Sequence, residues 1–208
     1  MRLTERFNDA LQYAVQLHAG QMRKVSGEPY AAHLLGVASI VLDYGADEDE
    51  AIAALLHDAI EDQGSHWQSQ WHSALGEEIG RRFGPGVAAI VRGCSDAETM
   101  PKPPWQERKE AFLARLEHAS PSIRLIVAAD KLHNVRSLLR DYRRQGETIW
   151  RHFKGGREKT LWYYRAVVEV LKRSGVTPLV EELDRAVTEL ERLAAGGDFA
   201  PPKTGNIE

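Results

Sequence analysis

The sequence predicts an all-α chain folded as one helical bundle of nine to ten helices. Three observations carry that expectation. Apolar residues recur at helical spacing over 4–19, 31–44, 47–62, 75–83, 85–95, 105–118, 121–143, 157–174 and 177–194. Gly20, Gly45, Gly64, Gly146 and Gly175 stand where helices end, and Ser120-Pro121 and Thr177-Pro178 read as N-cap and N1 pairs. No strand-like alternation survives beyond four residues, and no internal repeat is present.

Taken in order, the segment 4–19 stops at Gly20 and gives way to a loop that carries Arg23 and Lys24 before Ser26-Gly27. A guanidinium can stack on a purine face and an ammonium can contact a phosphate or a base edge, whereas plain solvation is the ordinary state of two surface cations. Pro29-Tyr30-Ala31-Ala32-His33 then leads into Leu34, Leu35, Val37, Ala38, Ile40, Val41 and Leu42. His33 therefore opens a strongly apolar helix, as a satisfied core histidine or as a ligand. The helix over 47–62 is almost wholly apolar through Ala51, Ile52, Ala53, Ala54, Leu55 and Leu56, and ends in His57-Asp58-x-x-Glu61-Asp62. Spacings of i,i+4 relate His57 to Glu61 and Asp58 to Asp62, which predicts one polar patch. Unpaired carboxylates are costly to bury, and acids near a helix C-terminus oppose the macrodipole. A divalent cation relieves both conflicts; so does a helix end that emerges into water.

Arg108 and Lys109 follow Pro103-Pro104-Trp105 at the start of the helix over 105–118. Cations there oppose the dipole unless an anion sits beside them. In the helix over 121–143, the run Ile123 to Ala129 ends in Asp130, with Lys131 or a nearby arginine as an alternative partner for its carboxylate. Asn134 lies at i+4 from Asp130 and shares its face, while His133 lies on another face and reads as structural. Trp162-Tyr163-Tyr164-Arg165 forms an aromatic cluster, a usual core feature. The last helix carries a clean stripe of Leu179, Val180, Leu183, Val187, Leu190 and Leu193, which closes the core or pairs with a second subunit.

At 208 residues, 43% hydrophobic and 27% charged, the chain is long enough for a substantial core and reads as one domain over 1–195 with a mobile tail over 196–208. Cys94 is the only cysteine, so no intrachain disulfide can form and a reducing compartment is expected. The N-terminus lacks the apolar core of a signal peptide, and no apolar run approaches the ~20 residues of a membrane span. The expectation is a cytoplasmic protein without membrane attachment. A net charge of −3 with no basic tract argues against nucleic acid as a partner. A polyanionic small molecule would be held by local cations.

Three apolar helices thus supply His33, His57-Asp58 and Asp130, the number of ligands a catalytic metal needs with positions left for water and substrate. Residue types alone admit Mn²⁺, Fe²⁺ or Zn²⁺.

The order H…HD…D resembles the HD-domain phosphohydrolase superfamily. His18-Ala19-Gly20-Gln21-Met22-Arg23-Lys24-x-x-Gly27-x-Pro29-Tyr30-x-x-His33 resembles the opening signature of RelA/SpoT-type alarmone hydrolase domains. Ala53 to Asp62 is similar to their HD-x-x-ED helix, and Phe83-Gly84-x-x-Val87-Ala88-x-Ile90-Val91-x-Gly93 to the helix that follows. Glu107-Arg108-Lys109 and Ala129-Asp130-Lys131-Leu132-His133-Asn134 are similar to two later elements. The resemblance spans roughly residues 5–175. Leu34 stands where the family usually has proline, and Ala129 gives Asp130 a somewhat altered context. Gly64–Leu75, with Trp67 and Trp71, and Gly93–Trp105 match no family pattern.

The resemblance implies an HD-type bundle and a Mn²⁺ site formed by His33, His57, Asp58 and Asp130. It implies that Glu61 and Asp62 orient water or move protons, that Arg23 and Lys24 meet the nucleoside, that Lys109 meets pyrophosphate, and that Asn134 binds a ribose or phosphate oxygen. Lys102 is a weaker candidate cation, and His18 serves to fix the opening loop. The activity implied is a 3′-pyrophosphohydrolase of guanosine or adenosine alarmones, in a chain with no room for the synthetase and regulatory domains of the bifunctional enzymes. An HD-type nucleotidase and a non-catalytic nucleotide-binding protein are the alternatives. Oligomeric state is not legible in the sequence.

Overall fold

The computed structural model describes residues 2–63, 70–96 and 102–196. Among the described residues there are ten α-helices: α1 (Glu5–Leu17), α2 (Ala31–Asp43), α3 (Glu48–Leu56), α4 (Ala59–Gln63), α5 (Gln70–Phe83), α6 (Pro85–Cys94), α7 (Trp105–Glu117), α8 (Pro121–Gln145), α9 (Gly156–Ser174) and α10 (Pro178–Ala194). A 3₁₀ turn, Gly146–His152, joins α8 to α9. No β-strand occurs among these residues; a single antiparallel bridge, Met22 to Pro29, pins the base of the loop before α2. Trp67, and the stretches 97–101 and 197–208, lie outside the described residues.

The helix starts follow capping chemistry. Asp47 and Glu50 form a reciprocal capping box on α3. Ser120 and Thr177 accept backbone N–H bonds from Ile123 and Val180, each at 3.3 Å, and the proline after each needs no N–H. A cap of this kind stabilises by ~1 kcal/mol.

α3 lies at the centre. Ala51, Ile52, Ala53, Ala54, Leu55 and Leu56 are all buried, and α1, α2, α6 and α8 pack around them. Three alanines among six residues let those neighbours approach closely. Truncating Leu55 or Leu56 to alanine should cost about 2–5 kcal/mol. The 25-residue α8 crosses the same core and carries α10 on its far side, and α9 bridges α7 and α10. The stripe of α10 closes this core: Leu179, Leu183, Val187 and Leu190 are buried within the chain.

The sequence anticipates one continuous helix over 47–62; the structure interrupts it. α3 ends at Leu56 and α4 begins at Ala59. His57 Nδ1 lies 2.8 Å from the Ala54 carbonyl, and so competes for the acceptor that an unbroken helix would give to the Asp58 amide. One turn later the pattern resumes, with Asp62 N–H on the Asp58 carbonyl.

Candidate active site

The interruption between α3 and α4 turns His57 and Asp58 toward α2 and α8. His33 Nε2 lies 3.4 Å from Asp58 Oδ2 and 3.3 Å from Asp130 Oδ1. His57 Nε2 lies 3.1 and 3.7 Å from the same two oxygens. The ligand atoms of His33, His57 and Asp58 all fall within 4.8 Å of one another. An ion bonded at about 2.1 Å holds neighbouring ligand atoms ~3 Å apart, which is the spacing seen.

The chemistry of the donors fits a cation equally well. Both Nε2 atoms are buried without a hydrogen-bond partner. If each imidazole is neutral with its proton on Nδ1, both Nε2 lone pairs face the Asp58 and Asp130 carboxylates, an arrangement that repels itself unless a positive charge stands there. The ring contacts favour that tautomer: His57 Nδ1 donates to the Ala54 carbonyl, and His33 Nδ1 lies 2.9 Å from His133 Nδ1. With no metal, protons do part of the work. Burial opposes a charge on His57, but Asp58 and Asp130 outweigh it and hold the imidazole well above the ordinary histidine range. Burial likewise opposes the charges of Asp58 and Asp130, yet His57 beside the first and Lys131 beside the second hold both carboxyls well below their usual range. A divalent ion would displace those protons.

The surrounding contacts fix the donors in place. Tyr30 donates its hydroxyl to Asp58 Oδ2 at 2.6 Å. Asn134 Nδ2 bonds Asp130 Oδ1, and Lys131 Nζ bonds Asp130 Oδ2. The Asp130–Lys131 pair and the histidine cluster therefore coexist, each using one oxygen. His133, expected on an unrelated face, instead reaches across to His33 because Gly36 leaves room for it: a Cβ at residue 36 would stand 2.3 Å from the His133 ring. Burial, with His33 next to it, brings the His133 imidazole down to about 4, so it is neutral and can accept.

Glu61 and Asp62 both lie near enough to Asp58 to feel its charge, and α4 gives each further partners of its own. Asp62 accepts from Gln21 Nε2 at 2.6 Å, and Gln21 Oε1 lies 2.8 Å from His18 Nδ1. His18 stacks on Tyr30 with ring centres 5.1 Å apart, so it does fix the opening loop. Glu61 points instead toward cations: Lys102 Nζ bonds its carbonyl at 3.1 Å and lies 3.5 Å from Oε1, and Arg108 Nη1 lies 3.9 Å from Oε1. Burial raises both carboxyls. The Asp96 charge adds to the shift at Glu61, and the Asp58 charge adds to it at Asp62.

Both acids line a cavity of about 880 Å³ whose wall also carries Lys24, Lys102, Arg108, Lys109, Lys131 and Lys154. Six cations thus gather on one wall, three of them also paired with Asp96 or Asp130, and the field there is locally positive within a chain of net charge −3. Tyr163 holds two of these ammonium groups over its ring, Lys109 at 4.6 Å and Lys131 at 5.7 Å. A second cavity of about 220 Å³ is lined by Arg23, Lys24, Tyr30, Asn134, Asp141 and Tyr164, among others. Arg23 Nη2 donates to Asn134 Oδ1 at 2.9 Å, so the loop cation and the α8 amide meet at this cavity.

Sequence reasoning missed Tyr30, Gly36 and Asp96 as parts of the site. Tyr30 lies three residues before His33, one turn away, and could have been found by that spacing. Gly36 interrupts an apolar helix, which signals a close approach. Asp96 sits in a stretch without periodicity and gave no signal. Yet the cations at the start of α7 required an anion, and Asp96 is that anion: its oxygens bind Arg108 Nη1 and, at 2.6 Å, Lys109 Nζ.

A family model described as HD domain matches residues 10–160. The guanosine-3′,5′-bis(diphosphate) 3′-pyrophosphohydrolase MESH1 of Xenopus tropicalis is 38% identical over 135 residues, 64% of this chain and 69% of that protein. The protein of the same name from Mus musculus is 31% identical over 185 residues, 88% of this chain and 90% of its own length. Among solved structures, one described as a metazoan ortholog of SpoT that hydrolyzes ppGpp superposes with a TM-score of 0.73 at 29% identity, covering 91% of this chain and 98% of that one. A structure of lmo0812 from Listeria monocytogenes superposes with a TM-score of 0.63 at 27% identity, covering 76% and 97%.

Proposed function

The chain belongs to the HD domain family, and we propose that it is a metal-dependent 3′-pyrophosphohydrolase of guanosine or adenosine alarmones. The observation that carries the reading is a junction. Donor atoms of His33, His57 and Asp58 cluster within 4.8 Å, Asp130 reaches both histidines, two carboxyls raised by burial stand near Asp58, and a cation-lined cavity opens from those carboxyls.

His33, His57, Asp58 and Asp130 would hold the divalent ion, with Mn²⁺ as the ion proposed. When bound, such an ion supplies Lewis-acid polarisation of a phosphoryl oxygen and acidifies water. The rest falls to the chain. Arg23 and Lys24 receive the nucleoside at the smaller cavity, where Asn134 offers its amide to a ribose or phosphate oxygen. Lys109, with its neighbours on the larger wall, holds the 3′-pyrophosphate. Water attacks the phosphorus attached to the 3′-oxygen, that P–O bond breaks, and pyrophosphate leaves. Asp62, oriented by Gln21, and Glu61, beside the cations, move protons between the water and the departing 3′-oxygen. The single cysteine suits a reducing cytoplasm. No described helix is long and apolar enough to cross a membrane.

The test is a panel of ppGpp, pppGpp, ppApp, dNTPs and nucleoside monophosphates, assayed with Mn²⁺ and analysed for products. Pyrophosphate together with a nucleoside 5′-diphosphate or 5′-triphosphate is expected. Orthophosphate from a monophosphate would identify a nucleotidase instead.

A further inference from the structure

Three cations crowd Glu61, and one buried carboxylate competes with it for two of them. Arg108 Nη1 bonds Asp96 Oδ1 and stays 3.9 Å from Glu61 Oε1. Lys109 Nζ bonds Asp96 Oδ2 at 2.6 Å. Asp96 stands just past the end of α6, behind the cavity wall to which Glu61, Arg108 and Lys109 all belong. Its side chain is 3% exposed, against 26% for Glu61, so the cations meet their less hydrated partner in Asp96. The backbone there is tethered as well: the Ser95 carbonyl accepts from Arg115 Nη2 at 3.0 Å.

We infer that Asp96 is a positioning residue, holding Arg108 and Lys109 off the Glu61 carboxylate so that Glu61 can exchange protons with the reacting groups. The inference rests on the proton-moving role proposed for Glu61. Burial works against the charge of Asp96, but Lys109 and Arg108, together with a hydrogen bond to Glu61, outweigh it and keep this carboxyl below its usual range, while the Asp96 charge raises Glu61 in turn. Take that anion away and the nearest carboxylate to Arg108 is Glu61. A closed ion pair there makes Glu61 a weaker base and removes it as an acid.

A double-mutant cycle tests this, with kcat for ppGpp as the primary readout and the melting temperature and metal content followed alongside. Asp96→Asn should lower kcat about 10-fold or more while metal content holds. In a Glu61→Gln background the same change should lower kcat less than about 2-fold, because the group it acts through is already gone. A merely structural role would multiply the loss in both backgrounds. Equal losses in both, or a wild-type kcat for Asp96→Asn, would overturn the inference and leave the Glu61 role standing. Wild-type kcat for Glu61→Gln would instead overturn the Glu61 role and the inference with it. Should Asp96→Asn fail to fold, Asp96→Glu restores the anion and should retain kcat within about 3-fold; a folded Asp96→Glu protein with a larger loss also overturns it.

Discussion

His33 and His133 meet through their Nδ1 atoms at 2.9 Å, in a space kept open by the missing side chain of Gly36. The contact orients His33 so that its Nε2 faces Asp58 and Asp130. A metal-binding histidine depends on such a partner, and losing it typically costs 10–100-fold in metal affinity or activity.

Gly36→Ala should therefore act as a metal-site mutation although residue 36 carries no ligand. The new Cβ would collide with the His133 ring, at 2.3 Å, and push it from His33. We expect a Mn²⁺ affinity lower by about 10–100-fold and a stability loss of about 1–3 kcal/mol from overpacking. Metal titration and thermal melting measure the two effects separately. Wild-type affinity would show that the histidine pair does not support the site.

Tyr30→Phe removes one hydroxyl, the donor to Asp58 Oδ2 at 2.6 Å, and leaves the ring stacked on His18. The fold should survive. Metal affinity should fall about 10-fold or more, since the carboxylate loses the bond that fixes its orientation. Equilibrium titration of the stripped protein gives the answer.

Glu61→Gln and Asp62→Asn should each retain metal and lose about 10²–10⁴-fold in turnover. They face different neighbours, cations for Glu61 and Gln21 for Asp62, so Gln21→Ala should impair turnover by freeing the Asp62 carboxylate. If both acid variants turn over ppGpp at the wild-type rate, the pair has no part in the chemistry.

Losing Arg23 or Lys24 should raise KM and change the ratio of activities on ppGpp and ppApp, because both line the smaller cavity with Asn134. Losing Lys109 should impair both substrates alike, because it lines only the larger cavity. Steady-state kinetics on the single variants separates these outcomes. An unchanged ratio for Arg23→Ala would remove it from base recognition.

The helices were legible because their signals are local. Ser120-Pro121 and Thr177-Pro178 start α8 and α10 as their chemistry requires, and the alanine- and leucine-rich run before His57 is buried throughout. The proposed donors were legible in the sequence as polar residues at the edges of apolar runs on three helices, His33 opening one and His57, Asp58 and Asp130 closing the others. The break after Leu56 was not, because it depends on a ring–carbonyl contact that leaves the hydrophobic pattern unchanged. The i,i+4 spacing brought Asp62 beside Asp58, but the further partners of the two acids, cations for Glu61 and Gln21 for Asp62, come from other parts of the chain. His133 was misjudged because its partner lies 100 residues away, on α2. Asp96 was missed because an isolated acid shows its role only when the cations it binds are brought to it.

The central claim is that the converging donors and the cation-lined cavity form one hydrolytic site for an alarmone. The most direct measurement is product analysis with ppGpp, using the chain stripped of metal, then reloaded with Mn²⁺, beside Asp58→Ala treated identically. The stripped protein and the variant should be inactive, and the reloaded protein should give pyrophosphate and GDP in equal amounts. Equal turnover with and without metal, full activity in Asp58→Ala, or phosphate release from nucleoside monophosphates with ppGpp left intact would contradict the account.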